Sequence, residues 1–202
     1  MPTAYIALGA NLPSSAGTPE QTLACAAERL AESGLVGARS PLYSTEPVGL
    51  AEQPRFLNAV ITLETDLTPR ELLETLMAIE HEYGRDRAAS VANGPRTLDL
   101  DILLYGDFVL SEAGLDIPHP RIAQRAFVLV PLNDIAPAVR EPRSGATVSE
   151  LLGALRKAAP QTIDHAIVET QSDSWLAGVG NPARGPATDP DAARAGADPD
   201  HG

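Results

Sequence analysis

At 202 residues with a formal net charge of −12, the chain is long enough to bury one domain core without disulfides or metals, and its acidity excludes a nucleic-acid surface, which needs a basic stripe. The single cysteine, Cys25, cannot close an internal disulfide, so nothing calls for an oxidising compartment. No run approaches the roughly 18 apolar residues of a membrane span, and Met1-Pro2-Thr3-Ala4-Tyr5 lacks the parts of a signal peptide, so the chain reads as cytoplasmic with no membrane partner.

Residues 4–9 read as a buried first strand, broken by Gly9-Ala10-Asn11-Leu12-Pro13. Thr18-Pro19-Glu20-Gln21 is a capping box with proline at the first helical position, and Gly34 stops the helix that follows. Leu35–Ser40 and Leu42–Ser44 form a second strand, and Phe56–Thr65 a third. Alternation puts Leu57, Ala59, Ile61 and Leu63 on the core face of that strand, and Phe56, Asn58, Val60 and Thr62 on the other. An asparagine beside an aromatic suits ligand contact, although a surface asparagine is commoner. Thr68-Pro69-Arg70-Glu71 starts a second helix that Gly84 ends, and residues 85–93 form a polar, non-periodic loop. After the next strand come Phe108-Val109-Leu110 as a short strand, a rigid connector over 115–121, and Phe127–Val130 as a buried strand or helix. Thr147-Val148-Ser149-Glu150 caps a third helix.

The order βαββαβ predicts an α+β fold with a ferredoxin-like core sheet and helices on its faces, a three-layer α/β/α arrangement. The domain is placed at residues 1–165. Residues 171–202, rich in Gly, Ala, Pro and Asp, read as a disordered tail in which Trp175 is the only aromatic side chain. Cutting near residue 170 is expected to leave activity largely unchanged.

The most informative stretch is Gly94-Pro95-Arg96-Thr97-Leu98-Asp99-Leu100-Asp101-Ile102-Leu103. As a strand it aims Asp99 and Asp101 at one face, their Cα atoms roughly 6.6 Å apart. Two such carboxylates repel by roughly 1–3 kcal/mol, depending on the dielectric, so the face needs either open water or cations. Arg85, Arg87 and Arg96 stand close in sequence. A pair of hard-oxygen ligands is what magnesium at a phosphate site uses.

Several motifs combine with this run: Tyr5-Ile6-Ala7-Leu8-Gly9-Ala10-Asn11-Leu12, Tyr43-Ser44-Thr45-Glu46-Pro47-Val48-Gly49, Gln53-Pro54-Arg55-Phe56-Leu57-Asn58, Gly84-Arg85-Asp86-Arg87 and Pro118-His119-Pro120-Arg121. Over roughly residues 3–160 the set resembles the 6-hydroxymethyl-7,8-dihydropterin pyrophosphokinase family, and the Gly-Pro-Arg-Thr-Leu-Asp-Leu-Asp run is highly specific to it. The resemblance implies transfer of pyrophosphate from ATP to the hydroxymethyl oxygen of the reduced pterin, with release of AMP and two Mg2+ bridging the triphosphate. It implies Asp99 and Asp101 as metal ligands and Arg85 and Arg96 as the catalytic arginines. It places Glu80, Arg87, Ile102, Leu115, Asp116, His119 and Arg125 at ATP. Thr45, Glu46, Val48, Phe56, Asn58 and Phe127 fall at the pterin, with the two phenylalanines as an aromatic sandwich. The expected partners are ATP and 6-hydroxymethyl-7,8-dihydropterin, and the expected state is a monomer acting without a fused second enzyme.

Four departures stand out. Many members carry Arg-Trp-Gly-Pro-Arg where this chain has Ala92-Asn93-Gly94-Pro95-Arg96, so the loop tryptophan is missing. Ala88 replaces a frequent basic residue, Glu46 a frequent proline, and Pro120 an aromatic. They bear on lid closure and affinity rather than on metal ligands. The chain has neither a G-x-S-x-G elbow nor a Walker loop. The competing classes are a ligand-sensing module without chemistry and a sugar-nucleotide or phosphatase site. A sensing module would not need the aspartate pair together with Arg96, and the residues around the pair suit neither of the others.

Overall fold

The computed structural model describes residues 1–47, 52–86, 94–160, 167–170, 172 and 175. Strand β1 (Thr3–Ala10) lies between β4 (Phe56–Glu64) and β5 (Asp99–Tyr105), antiparallel to both. β3 (Leu42–Thr45) pairs with the far edge of β4, as does β2 (Leu35–Arg39). Strand β8 (Ile167–Thr170) closes the sheet beyond β3, giving the order β5-β1-β4-β3-β8. Two short strands, β6 (Leu110–Glu112) and β7 (Leu115–Ile117), form a separate hairpin.

Strand alternation divides the interior. Ala4, Ile6, Leu8 and Ala10 of β1 join Ala59, Ile61 and Leu63 of β4 in one cluster with helices α1 (Pro19–Leu30) and α2 (Pro69–Glu82). Val60 enters a second cluster with Leu129 and Leu132 of α3 (Ala126–Ile135) and Leu152 of α4 (Val148–Ala158), against which Tyr5 and Ala7 pack. Three helices begin as the sequence requires: Thr18, Thr68 and Thr147 each accept from the N3 amide, while Gln21, Glu71 and Glu150 reach back to the cap. Each such cap is worth about 1 kcal/mol. Gly84, at φ +83°, turns the chain off α2 in a conformation other residues resist, and Arg85 then folds back toward β5.

Several expectations change. Strict alternation from Leu98 through Leu100 and Ile102 would put Leu104 on the same face, and it lies elsewhere. A bulge opposite Tyr5 and Ile6 sends Leu103 and Leu104 into the second cluster and returns Tyr105 to the first. Residues 108–110 are not a strand of their own; Leu110 opens the β6–β7 hairpin instead. Of the two readings left open for Phe127–Val130, helix is the one found, in the first part of α3. The ordered fold continues past residue 165, because β8 pairs with β3 and Trp175 is fully buried in the first cluster. Of the expected tail, only Ser172 and Trp175 are among the described residues. Among those residues no helix is long and apolar enough to cross a membrane.

Candidate active site

The site begins with register. Asn58 of β4 and Asp99 of β5 stand on either side of Gly9 in β1; one pair further along, Val60 and Asp101 flank Ala7. Directly opposed residues share a face, so two carboxylates and an amide project over a floor of glycine and alanine. A Cβ on Gly9 would lie 2.9 Å from Asn58 Oδ1, so this strand position must be glycine if the asparagine is to keep its place. α3 supplies the wall: Phe127 and Val128 line the resulting cleft together with Ala7, Leu8, Gly9, Asn58, Asp99 and Asp101.

The carboxylate repulsion expected from the sequence is answered by arginines. Asp99 accepts from Arg85 Nη1, and from Arg96 Nη1 at 2.8 Å. Asp101 is held more loosely, with Arg125 Nη1 at 3.5 Å and His119 Nε2 at 3.8 Å. Arg85 also donates to the Leu98 carbonyl and to Glu80, both at 2.9 Å. Glu80 is buried on α2, where its Oε1 accepts the Leu100 amide at 2.8 Å, supplying an edge strand with a partner the sheet lacks there. Burial alone would lower the pKa of Arg85; the charges of Asp99, Glu80 and Asp101 outweigh it and raise the pKa. Arg125 is shifted down, chiefly by burial and then by Arg121. His119 is also pushed below 6.5, by burial first, against the opposing pull of Asp101. Its Nδ1 accepts the Arg121 amide at 3.1 Å, and its Nε2 lies 3.4 Å from Arg125 Nη1 and 3.8 Å from Asp101.

On the opposite side of the cleft, Asn58 donates to Thr45 Oγ1 at 2.7 Å, both residues buried. Phe56 lies under the Arg96 guanidinium at 5.4 Å, and Phe127 under that of Arg125 at 5.5 Å. Glu46 is exposed and paired with Arg55 at 2.9 Å. Ile102 and Leu115 turn their side chains into the first core cluster. Asp116 sits on the exposed face of the hairpin and accepts from Ser111 at 2.6 Å. Val48 and Arg87 lie outside the described residues, as do Ala88, Ala92 and Asn93.

Sequence reasoning did not single out Gly9, Ala7 or Asn11 as site residues. Asn11 is buried; its Oδ1 accepts the Arg96 amide at 2.8 Å, and its Nδ2 donates to Gln53 Oε1 at 3.1 Å and the Pro54 carbonyl at 3.0 Å. The Arg96 carbonyl in turn accepts the amides of Asn11 and Leu12. One asparagine thus fixes both the arginine segment and the lead-in to Phe56 and Asn58. The available signal was a small-residue strand end followed by asparagine; nothing in the spacing revealed its partners more than 40 residues away.

Among the described residues no three His, Cys, Asp or Glu side chains gather into a ready-made metal cage. Two carboxylates facing an open cleft still fit magnesium, which binds through one or two carboxylates and takes its remaining ligands from water and substrate phosphates.

Residues 5–137 match the family described as 7,8-dihydro-6-hydroxymethylpterin-pyrophosphokinase. The 2-amino-4-hydroxy-6-hydroxymethyldihydropteridine pyrophosphokinase of Pseudomonas aeruginosa is 51% identical over 152 residues, covering 74% of this chain and 90% of that one. The Haemophilus influenzae enzyme of the same name is 44% identical over 147 residues, covering 71% and 88%. A Plasmodium falciparum HPPK-DHPS crystal structure shares the fold, with a TM-score of 0.67 at 16% identity, over 83% of this chain and 47% of that one. The chain belongs to the 7,8-dihydro-6-hydroxymethylpterin-pyrophosphokinase family.

Proposed function

We propose that the protein transfers a pyrophosphoryl group from ATP to the hydroxymethyl oxygen of 6-hydroxymethyl-7,8-dihydropterin, giving the pterin diphosphate and AMP, as a cytoplasmic monomer in folate biosynthesis. The observation that carries this reading is the cross-strand row Asn58–Gly9–Asp99. It sets an amide suited to a heterocycle edge two strand spacings, roughly 10 Å, from a carboxylate suited to a metal-bound phosphate. The glycine between them leaves space for the reacting groups. The sheet order, with helices on both faces, reads as a ferredoxin-like core in three layers.

In this reading Asp99 and Asp101 would hold two Mg2+ with the triphosphate, which would offset polyphosphate charge and make the attacking hydroxyl more acidic. The hydroxymethyl oxygen forms a bond to the β-phosphorus, the bond from that phosphorus to the α–β bridging oxygen breaks, and AMP departs with the electron pair while the hydroxyl loses its proton. Arg85 and Arg96 exchange Asp99 for phosphate oxygens, where their charge counts most as the transition state spreads negative charge over the transferred group. Arg125 and His119, with Glu80, Arg87, Ile102, Leu115 and Asp116, form the ATP side. Ile102 and Leu115 contribute there through backbone, since their side chains are in the core. Phe56 and Phe127 stack on the pterin, Asn58 and Thr45 bond its edge, and Glu46 and Val48 line the mouth. The test is AMP formation from ATP and 6-hydroxymethyl-7,8-dihydropterin: stoichiometric AMP and pterin diphosphate with Mg2+, and none with EDTA, is the expected result. No AMP under any condition overturns the reading.

A further inference from the structure

Trp175 lies outside the residues that match the family, yet it is among the most deeply buried side chains of the molecule. Its indole Nε1 donates to the Ser40 carbonyl at 2.7 Å. Arg39 stacks over the ring at 5.3 Å and donates through Nη1 to the Trp175 carbonyl at 3.2 Å. The Trp175 amide donates to Ser172 Oγ at 3.1 Å, and the Ser172 hydroxyl donates to Glu20 at the start of α1. A tryptophan buried with its N–H satisfied is an anchor rather than a chance contact.

The position it grips is a weak point. Ser40 and Pro41 separate β2 from β3, and proline brings no amide to the ladder. Ser40 repairs the gap by donating its own amide to the Val60 carbonyl at 2.9 Å and accepting the Val60 amide on its hydroxyl at 3.0 Å. From there β3 runs to Thr45, the partner of Asn58, with β8 along its outer edge and Ile167 opposite Thr45. The C-terminal segment therefore holds β3 at both ends, by strand pairing at Thr45 and by the indole at Ser40.

We propose that Trp175 is a positioning residue for the pterin side of the cleft: it pins the β2–β3 junction and so sets the Thr45–Asn58 pair, acting through β3 without touching substrate. The consequence for substrate rests on the function proposed above; the docking does not. As the only tryptophan, Trp175 reports on itself. In the full-length native protein its emission is expected to be blue-shifted and shielded from iodide, and solvent-like emission overturns the proposal. In Trp175→Ala, amide exchange over residues 42–45 is expected to accelerate while β5 stays protected. The KM for pterin should rise roughly 5-fold or more, with that for ATP changed by less than about 2-fold, the scale of one lost hydrogen bond and its packing. Trp175→Phe keeps most of the packing and should fall between; it also serves if the alanine variant does not fold. Unchanged β3 exchange in a folded variant, or equal changes in both KM values, overturns the positioning role. If the wild type makes no AMP, the exchange experiment alone decides: faster exchange at β3 supports the strap while the catalytic reading falls.

Discussion

Asp99 and Asp101 are two residues apart on one strand, but their surroundings differ. Asp99 meets Arg85 and Arg96, whereas among the described residues Asp101 has the longer contacts to Arg125 and His119. Asp99 is thus paired with two arginines, for which a bound phosphate would compete. Glu80 makes this possible from behind, fixing Arg85 while its own carboxylate stays buried against the Leu100 amide. Asn11 has the comparable task for Arg96. Asn11→Ala leaves the Arg96 amide without its side-chain acceptor and frees the 53–54 segment. A shift of about 1 Å in a catalytic group can cost on the order of 100-fold in rate, so the variant should fold and lose roughly 10- to 100-fold in kcat. Steady-state kinetics showing an unchanged kcat would contradict the role assigned to it.

The elements that place these residues were legible where local chemistry decides structure. Three threonine caps, the glycine stop after α2 and the period-2 faces of β4 all follow from neighbouring residues, and each is found as expected, whereas α1 already ends at Leu30 and Gly34 closes the short 3-10 turn after it. What was not legible depends on distant partners. The bulge in β5 arises from pairing with β1 nearly 100 residues earlier, and the parity rule has no term for an extra residue. Strand β8 falls between the expected domain and the expected tail, and its four residues become a strand only because β3 offers an unpaired edge; Trp175 was hidden by a composition that reads as tail. The turn into α4 has its own device in Glu141, a buried carboxylate accepting the Arg143 and Ser144 amides at 2.8 Å each. Burial would raise its pKa, but the hydrogen bonds from Ser144 and Arg143 win and hold it below 4.5. A carboxyl depressed in the folded state stabilises above its unfolded value and loses that contribution as pH falls through the folded one. Stability should therefore drop below about pH 4.5 in part through Glu141, and Glu141→Gln should flatten that limb at a cost of about 1–2 kcal/mol near neutrality. Urea titrations from pH 3 to 7 that run parallel for the two proteins would contradict this.

At the scale of the molecule, a chain of net charge −12 gathers Arg85, Arg96 and Arg125 around this cleft, where they could meet a polyphosphate. Because those arginines already offset the aspartates' charge, folding is expected not to depend on metal. Mg2+ alone should move the Tm little, while Mg2+ with a non-hydrolysable ATP analogue should raise it by several degrees, the linkage expected of a site assembled from protein, metal and phosphate together. A large shift with Mg2+ alone in a thermal scan would mean a preformed cage instead. The family could be read from motifs, because metal, phosphate and heterocycle each demand particular side chains at fixed spacing. The organisation of the floor could not, since Gly9 and Ala7 act by what they leave out. The central claim is that the Asp99–Asp101 face holds the metal for pyrophosphoryl transfer. It is tested most directly by Mg2+-dependent AMP release in Asp99→Asn and Asp101→Asn beside the wild type, with circular dichroism to confirm folding. Both folded variants should lose activity by about 100-fold or more, the loss expected when groups that stabilise transition-state charge are removed; near wild-type turnover in both would contradict the account.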